Sequence, residues 1–187
     1  MKRARVMEQA QDYKQKYLFG DPETKIKPCK KFIAVYRVSL VRDKGIKFGE
    51  DPLNGQQQVQ RIMRSLIEVQ GQPDREQFCI LMLNAKNKVI GLNIVSIGDL
   101  SSANVHPREV LKPVILANSA AMILCHNHPS GTLTPSPEDI AITERVIKAA
   151  RIMGITVHEH LIISMDDDSF YSFSEHGLIQ SMYDEAI

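Results

Sequence analysis

Cysteine is scarce in this chain: three residues in 187, Cys29, Cys79 and Cys125. An odd number spread this widely builds no disulfide framework, and no two are close enough for a Cys-x-x-Cys zinc clip. Cys79 and Cys125 sit in apolar runs, Phe78-Cys79-Ile80-Leu81 and Ile123-Leu124-Cys125, and read as core thiols suited to a reducing cytoplasm. No apolar stretch approaches the ~18 residues of a transmembrane helix, so no membrane partner is expected. The basic start Met1-Lys2-Arg3-Ala4-Arg5 has no apolar segment behind it, and no signal peptide is visible. Internal repeats and low-complexity segments are also missing.

What is present is ordinary for a globular protein, with 43% hydrophobic and 24% charged residues. That composition supports a sizeable core and argues against disorder along the whole length. The length leaves room for one domain plus an arm or tail. The net charge of +1 hides an asymmetry: residues 1–47 carry +8 and the rest −7. A basic arm on an acidic domain suits contact with nucleic acid or an acidic partner. It equally suits a solvated arm packed on its own domain, because Gln, Tyr and Glu interrupt the basic residues.

Residues 1–19 have helical composition and spacing, Gly20-Asp21-Pro22 stops them, and Lys25–Lys31 is a polar, basic linker candidate. Phe32–Val41 is β-branched and aromatic and predicts a strand. Val59, Ile62, Met63, Leu66 and Ile67 recur at helical spacing over Gln56–Val69. Gln77–Leu83 and Val89–Ile97 read as a hairpin around Asn84–Lys88. A helix is expected over Pro107–Ala120, a short strand over Ala121–Cys125, and a helix over Glu138–Met153. Ile155–Val157, Leu161–Ser164 and Phe170–Phe173 read as separate strand pieces. Alternating strands and helices make the fold class α/β or α+β.

The informative stretch is Cys125-His126-Asn127-His128-Pro129-Ser130-Gly131, followed by Thr134-Pro135-Ser136-Pro137-Glu138-Asp139. Alternate residues of an extended chain point the same way, so His126 and His128, just past a strand end, converge on one point. Ser136, Pro137 and Asp139 have the N-cap, N1 and N3 signature of a helix start, which brings a carboxylate back towards the strand end. Two imidazoles and one carboxylate form a three-ligand zinc set with a fourth position for water, whose pKa Zn²⁺ lowers to about 7. Capping alone explains Ser136 and Asp139, and a lone strand-end His is more often structural. A His-x-His directly before a capped helix is harder to dismiss.

Such a site also needs a carboxylate that takes a proton from the water. The candidates are Glu76, Glu109, Glu138 and Glu159. Glu76 stands at the lip of a buried strand and is well placed, although pairing with Arg75 would also explain it. His158 and His160 form a second His-x-His without a following Ser-x-x-Asp, and read as structural or as accessory ligands. His106 and His176 have no supporting pattern, and the eight methionines are core filler.

The pattern His-x-His, seven residues, Ser, two residues, Asp resembles the JAB/MPN (JAMM) metalloproteases, and the HNHPSG string resembles their RadC branch. Arg75-Glu76-Gln77-Phe78, Asn87-Lys88-Val89-Ile90, His106-Pro107-Arg108-Glu109-Val110 and His160-Leu161-Ile162-Ile163 extend the resemblance over about residues 50–175. The resemblance implies a mixed β-sheet flanked by helices, akin to cytidine deaminases. It also implies His126, His128 and Asp139 as zinc ligands, Glu76 as general base and Ser136 as oxyanion donor. The activity implied is hydrolysis of an amide or isopeptide bond, in family members at the C-terminus of ubiquitin-like proteins.

The expected organisation is a basic arm and strand over 1–49, a RadC-like JAB/MPN domain over 50–175 and a C-terminal tail over 176–187, in the cytoplasm. The competing expectations are a DNA-associated protein, in repair or as a nuclease, with residues 1–47 as its electrostatic footprint, and a non-catalytic interaction module. Two features weigh against DNA. Residues 1–50 lack the helix-hairpin-helix signature common at the start of RadC proteins, and Asp166-Asp167-Asp168 makes the late loop a poor neighbour for phosphate.

Overall fold

Seven consecutive buried residues, Gln77–Leu83, form β1 in a computed structural model that describes residues 37, 39–42, 45, 53–98 and 105–185. The chain divides into two units, Met1–Arg37 and Val38–Ile187, and the second is described here. The helix expected over residues 1–19 and the linker over 25–31 lie outside the described residues. So does most of the strand expected over Phe32–Val41, whose described members Arg37, Ser39, Leu40 and Val41 are exposed and in no strand.

The elements run α1 (Gln56–Gln70), β1, β2 (Val89–Ile97), α2 (Pro107–Leu116), β3 (Ala121–Asn127), α3 (Pro137–Ile152), β4 (Thr156–Ile163), β5 (Phe170–Ser172) and α4 (Leu178–Glu185). Among the described residues they build a five-stranded sheet, ordered β2-β1-β3-β4-β5, with helices around it; its mixed character and flanking helices are those the resemblance implies. Among the described strands only β3 and β4 pair in parallel, and α3 supplies the crossover that a parallel pair requires.

The apolar runs are continuous because the central strands are buried on both faces. Phe78, Ile80 and Met82 of β1 and Met122 and Leu124 of β3 face α2, α3 and α4. Cys79, Leu81, Leu83, Ala121, Ile123 and Cys125 face the apolar stripe of α1. Burial pushes the Cys79 thiol up to about 12 and drives Cys125 upward as well, first by desolvation and then through Cys79. Both are therefore inert core thiols.

Three segments depart from expectation. β3 runs past Cys125 because His126 and Asn127 pair with Ile162 and Ile163 of β4, and His126 also opposes Phe78 of β1. β4 is one strand, not two pieces, since its polar middle is satisfied by partners distant in sequence. α2 stops at Leu116 because Asn118 takes a positive φ of 51° and Ala120 hydrogen-bonds the Leu83 carbonyl, entering the sheet. Beyond residue 175, α4 places Ile179 and Met182 in the core. No helix among the described residues is long and apolar enough to cross a membrane.

Candidate metal centre

Alternation along β3 sends His126 to the same face as Met122 and Leu124, at the carboxyl end of a strand paired in parallel with β4. His128 follows on that face, beyond the strand. Pro129, Ser130 and Gly131 then reverse the chain in a turn closed by Gly131 N–H donating to the His128 carbonyl at 3.0 Å. Gly131 has a φ of +75°, a conformation that a side chain would strain. The turn returns the Thr132 carbonyl to His128, whose Nδ1–H donates to it at 2.5 Å.

Asp139 arrives through the start of α3. Ser136 caps that helix in a reciprocal box: its Oγ accepts from Asp139 N–H at 3.1 Å, and Asp139 Oδ2 accepts from Ser136 N–H at 2.8 Å. The Ser136 hydroxyl proton is also given to Oδ2, at 2.7 Å. Asp139 Oδ1 is left facing the histidines.

Three ligand atoms converge. His126 Nε2 lies 2.9 Å from His128 Nε2 and 3.2 Å from Asp139 Oδ1, while His128 Nε2 lies 3.6 Å from Oδ2. Ligands of a tetrahedral zinc with bonds of 2.0–2.1 Å stand ~3.3 Å apart, so these separations fit such an ion. The chemistry fits too. Nδ1 of His128 carries a proton and Asp139 is an acceptor, so the shared point is ringed by electron pairs and calls for a cation. Burial alone would raise Asp139 and lower His128. For Asp139 the two imidazoles beside it and the hydrogen bonds from Ser136 outweigh it and hold the carboxyl far below the usual range. For His128 the Asp139 carboxylate 3.6 Å away, the hydrogen bond to the Thr132 carbonyl and the charge of Glu76 outweigh it and raise its affinity for a proton.

The structure separates the four candidate bases. Glu109 is exposed and ion-paired with Lys112 at 2.8 Å and Arg108 at 3.4 Å. Glu138 is exposed. Glu159 is buried, and its oxygens accept from His160 N–H, Ser172 Oγ, Ser174 N–H and Ser174 Oγ, which makes it a brace between β4 and the segment after β5. Glu76 precedes β1 by one residue. Because Phe78 pairs with His126, the antiparallel register continued two residues places Glu76 opposite His128, and its charge acts on that ring. Asn127 secures this lip: its Oδ1 accepts from Gln77 N–H and its Nδ2 donates to the Arg75 carbonyl, each at 2.9 Å, on either side of Glu76.

The remaining histidines divide as well. His160 is wholly buried behind His126, with its Nε2 2.8 Å from His126 Nδ1 and its Nδ1 2.6 Å from Thr143 Oγ1. It is no metal ligand in this arrangement; among the described residues the converging group is His126, His128 and Asp139. His158 instead donates to Asn87 in the hairpin turn at 3.1 Å. His106 caps α2, and His176 donates to the Ser172 carbonyl and stacks on Tyr171. Thr143 and Asn127 escaped the sequence reading because their partners are 17 and 50 residues away; only the HNHPSG string could have drawn attention to Asn127.

An α+β sheet presenting two histidines at a strand end and an aspartate at the next helix start defines a protein able to hold one metal ion. Residues 53–178 match the family model described as the RadC-like JAB domain, and the chain belongs to that family. It is 52% identical to a UPF0758 protein of Desulforamulus reducens over 106 residues, 57% of this chain and 46% of that one. With a UPF0758 protein of Rubrobacter xylanophilus the identity is 48% over 106 residues, covering 57% and 45%. With UPF0758 protein YfjY of Escherichia coli it is 46% over 106 residues, covering 57% and 65%. The chain spans about half the length of the first two relatives.

Proposed function

We propose that this chain is a zinc-dependent hydrolase that cleaves a peptide or isopeptide amide, in the manner its family resemblance implies. One observation carries the reading: a ligand atom from each of His126, His128 and Asp139 lies within 4.8 Å of the others, and the charge of Glu76 acts on His128. Zinc held there supplies a Lewis acid and a water that ionises near neutral pH. Glu76, steadied by Asn127, takes the proton of the attacking water and returns it to the leaving amine. Ser136 orients Asp139. Its hydroxyl is released to a developing oxyanion at little cost, since the Ser136 N–H still serves Oδ2.

An amide suits the surroundings better than a phosphodiester. A groove of about 660 Å³ opens on His128, and Glu68, Asp74 and Asp166 line it; three carboxylates repel a polyanion. The decisive screen offers zinc-loaded protein a ubiquitin-like fusion, an isopeptide-linked pair and DNA. Cleavage of an amide, abolished by chelation, is expected. Cleavage of DNA alone would overturn the assignment.

Ser136→Ala tests the double role of that residue. Loss of the cap costs about 1 kcal/mol of stability, and loss of an oxyanion donor lowers the rate on the order of 10²–10³-fold. Denaturant unfolding and kinetics on the same preparation check the pair. A stability loss with an unchanged rate would leave Ser136 as a cap only.

A further inference from the structure

Behind the three ligand atoms runs a buried chain of hydrogen bonds whose direction is set by one group that has no proton to give. The main-chain carbonyl of Asp139 lies 2.5 Å from Thr143 Oγ1, so the Thr143 hydroxyl must donate to it. That hydroxyl has a single proton. Towards His160 Nδ1, at 2.6 Å, it can only accept, and Nδ1 therefore carries the proton of His160. His160 has 0% exposure, and no carboxylate among the described residues hydrogen-bonds to its imidazole, whose partners are His126 and Thr143, so the ring is neutral and its Nε2 is an acceptor. His126 Nδ1, at 2.8 Å from that Nε2, must then be the donor. The Nε2 of His126 is left bare.

We propose that Thr143 and His160 are positioning residues that hold His126 in its Nδ1-protonated form, with the Nε2 electron pair turned to the metal before a metal arrives. The proposal rests on reading His126, His128 and Asp139 as ligands. No proton enters or leaves the chain of bonds; only its direction matters. The fold makes the chain possible at three places. Thr143 stands one helical turn after Asp139 on α3. Parallel pairing sets His160 opposite Leu124 and Ile162 opposite His126, so His160 lies diagonally beside His126 on one face. Stacking on Phe173, with ring centres 4.6 Å apart, fixes the His160 plane. The bonds thereby join two ligands, His126 on β3 and Asp139 on α3, through a third element.

Partners of this kind set ligand orientation, and their loss typically lowers metal affinity 10–100-fold. The test combines two measurements on the full chain. The first reads the imidazole nitrogens by NMR in metal-free wild-type protein, with His126 expected as the Nδ1–H form. A proton resident on His126 Nε2 would overturn the proposal whatever the variants do. The second titrates Zn²⁺ into wild type, Thr143→Val and Thr143→Ser. Thr143→Val, which keeps the shape and removes the donor, is expected to bind 10–100-fold more weakly, and Thr143→Ser close to wild type. Equal zinc affinity in all three, with His126 still Nδ1-protonated in Thr143→Val, would show that Thr143 does not set the tautomer. Failure of wild type itself to bind zinc would instead strike the ligand assignment, and the NMR result would still stand as the test of the bonds.

Discussion

Glu76→Gln is expected to leave zinc content and thermal stability unchanged and to lower turnover roughly 10²–10⁴-fold, the range of a positioned general base. The substitution keeps size and polarity but cannot accept a proton. Zinc content should hold because the converging ligand atoms belong to His126, His128 and Asp139, not to Glu76. Stability should hold because Gln keeps the size and polarity of Glu76 and leaves in place the hydrogen bonds that Asn127 makes to the main chain of Arg75 and Gln77. Kinetics on a substrate that wild type cleaves, alongside metal analysis, check both halves. Full activity in the variant would make Glu76 a surface carboxylate. The alternatives would be poor, since Glu109 is ion-paired away from the site and Glu159 is consumed by its four donors.

The double variant His126→Ala/His128→Ala is expected to lose bound zinc entirely. Wild type should gain about 2.7 kcal/mol from zinc at 100 times its Kd, which for a chain of this size is a rise in Tm on the order of 5–10 °C. The double variant should show no such rise. The pH dependence has a definite sign. His128 has a raised affinity for a proton in the metal-free protein, owing to Asp139, the Thr132 carbonyl and Glu76. Zinc must displace that proton, so its affinity falls as pH falls. In the absence of zinc, the stability from the charged His128–Asp139 pair is fully present below the unfolded histidine's pKa. It is lost as pH rises through the folded one. Calorimetric scans with and without chelator at several pH values separate the two trends. Stoichiometric zinc retained by the double variant would remove both ligands from the account.

Local pattern was enough for α1, β1 and β2, whose bounds follow directly from helical spacing and from apolar runs ended by Gly and Asn. It was enough also for the convergence of His126, His128 and Asp139, because His126, Asn127 and His128 lie on an extended segment and Asp139 sits in a capping box, both short-range geometries. It was not enough where polar residues are buried. His158-Glu159-His160 looks like a break between two strands, yet β4 runs straight through. The reason is that Glu159 takes donors from Ser172 and Ser174, and His160 meets Thr143 and His126. Those partners come from other elements and leave no mark on the local sequence. For the same reason β3 extends two residues beyond its apolar run, held by β1 and β4.

The proposed hydrolase needs one zinc ion held by His126, His128 and Asp139. X-ray absorption at the zinc edge, on protein loaded with one equivalent, tests it most directly. A four-coordinate ion with two imidazoles and oxygen ligands at roughly 2.0–2.1 Å, and no sulfur scatterer, is expected. A spectrum with sulfur at about 2.3 Å, or one lacking imidazole scattering, would contradict it.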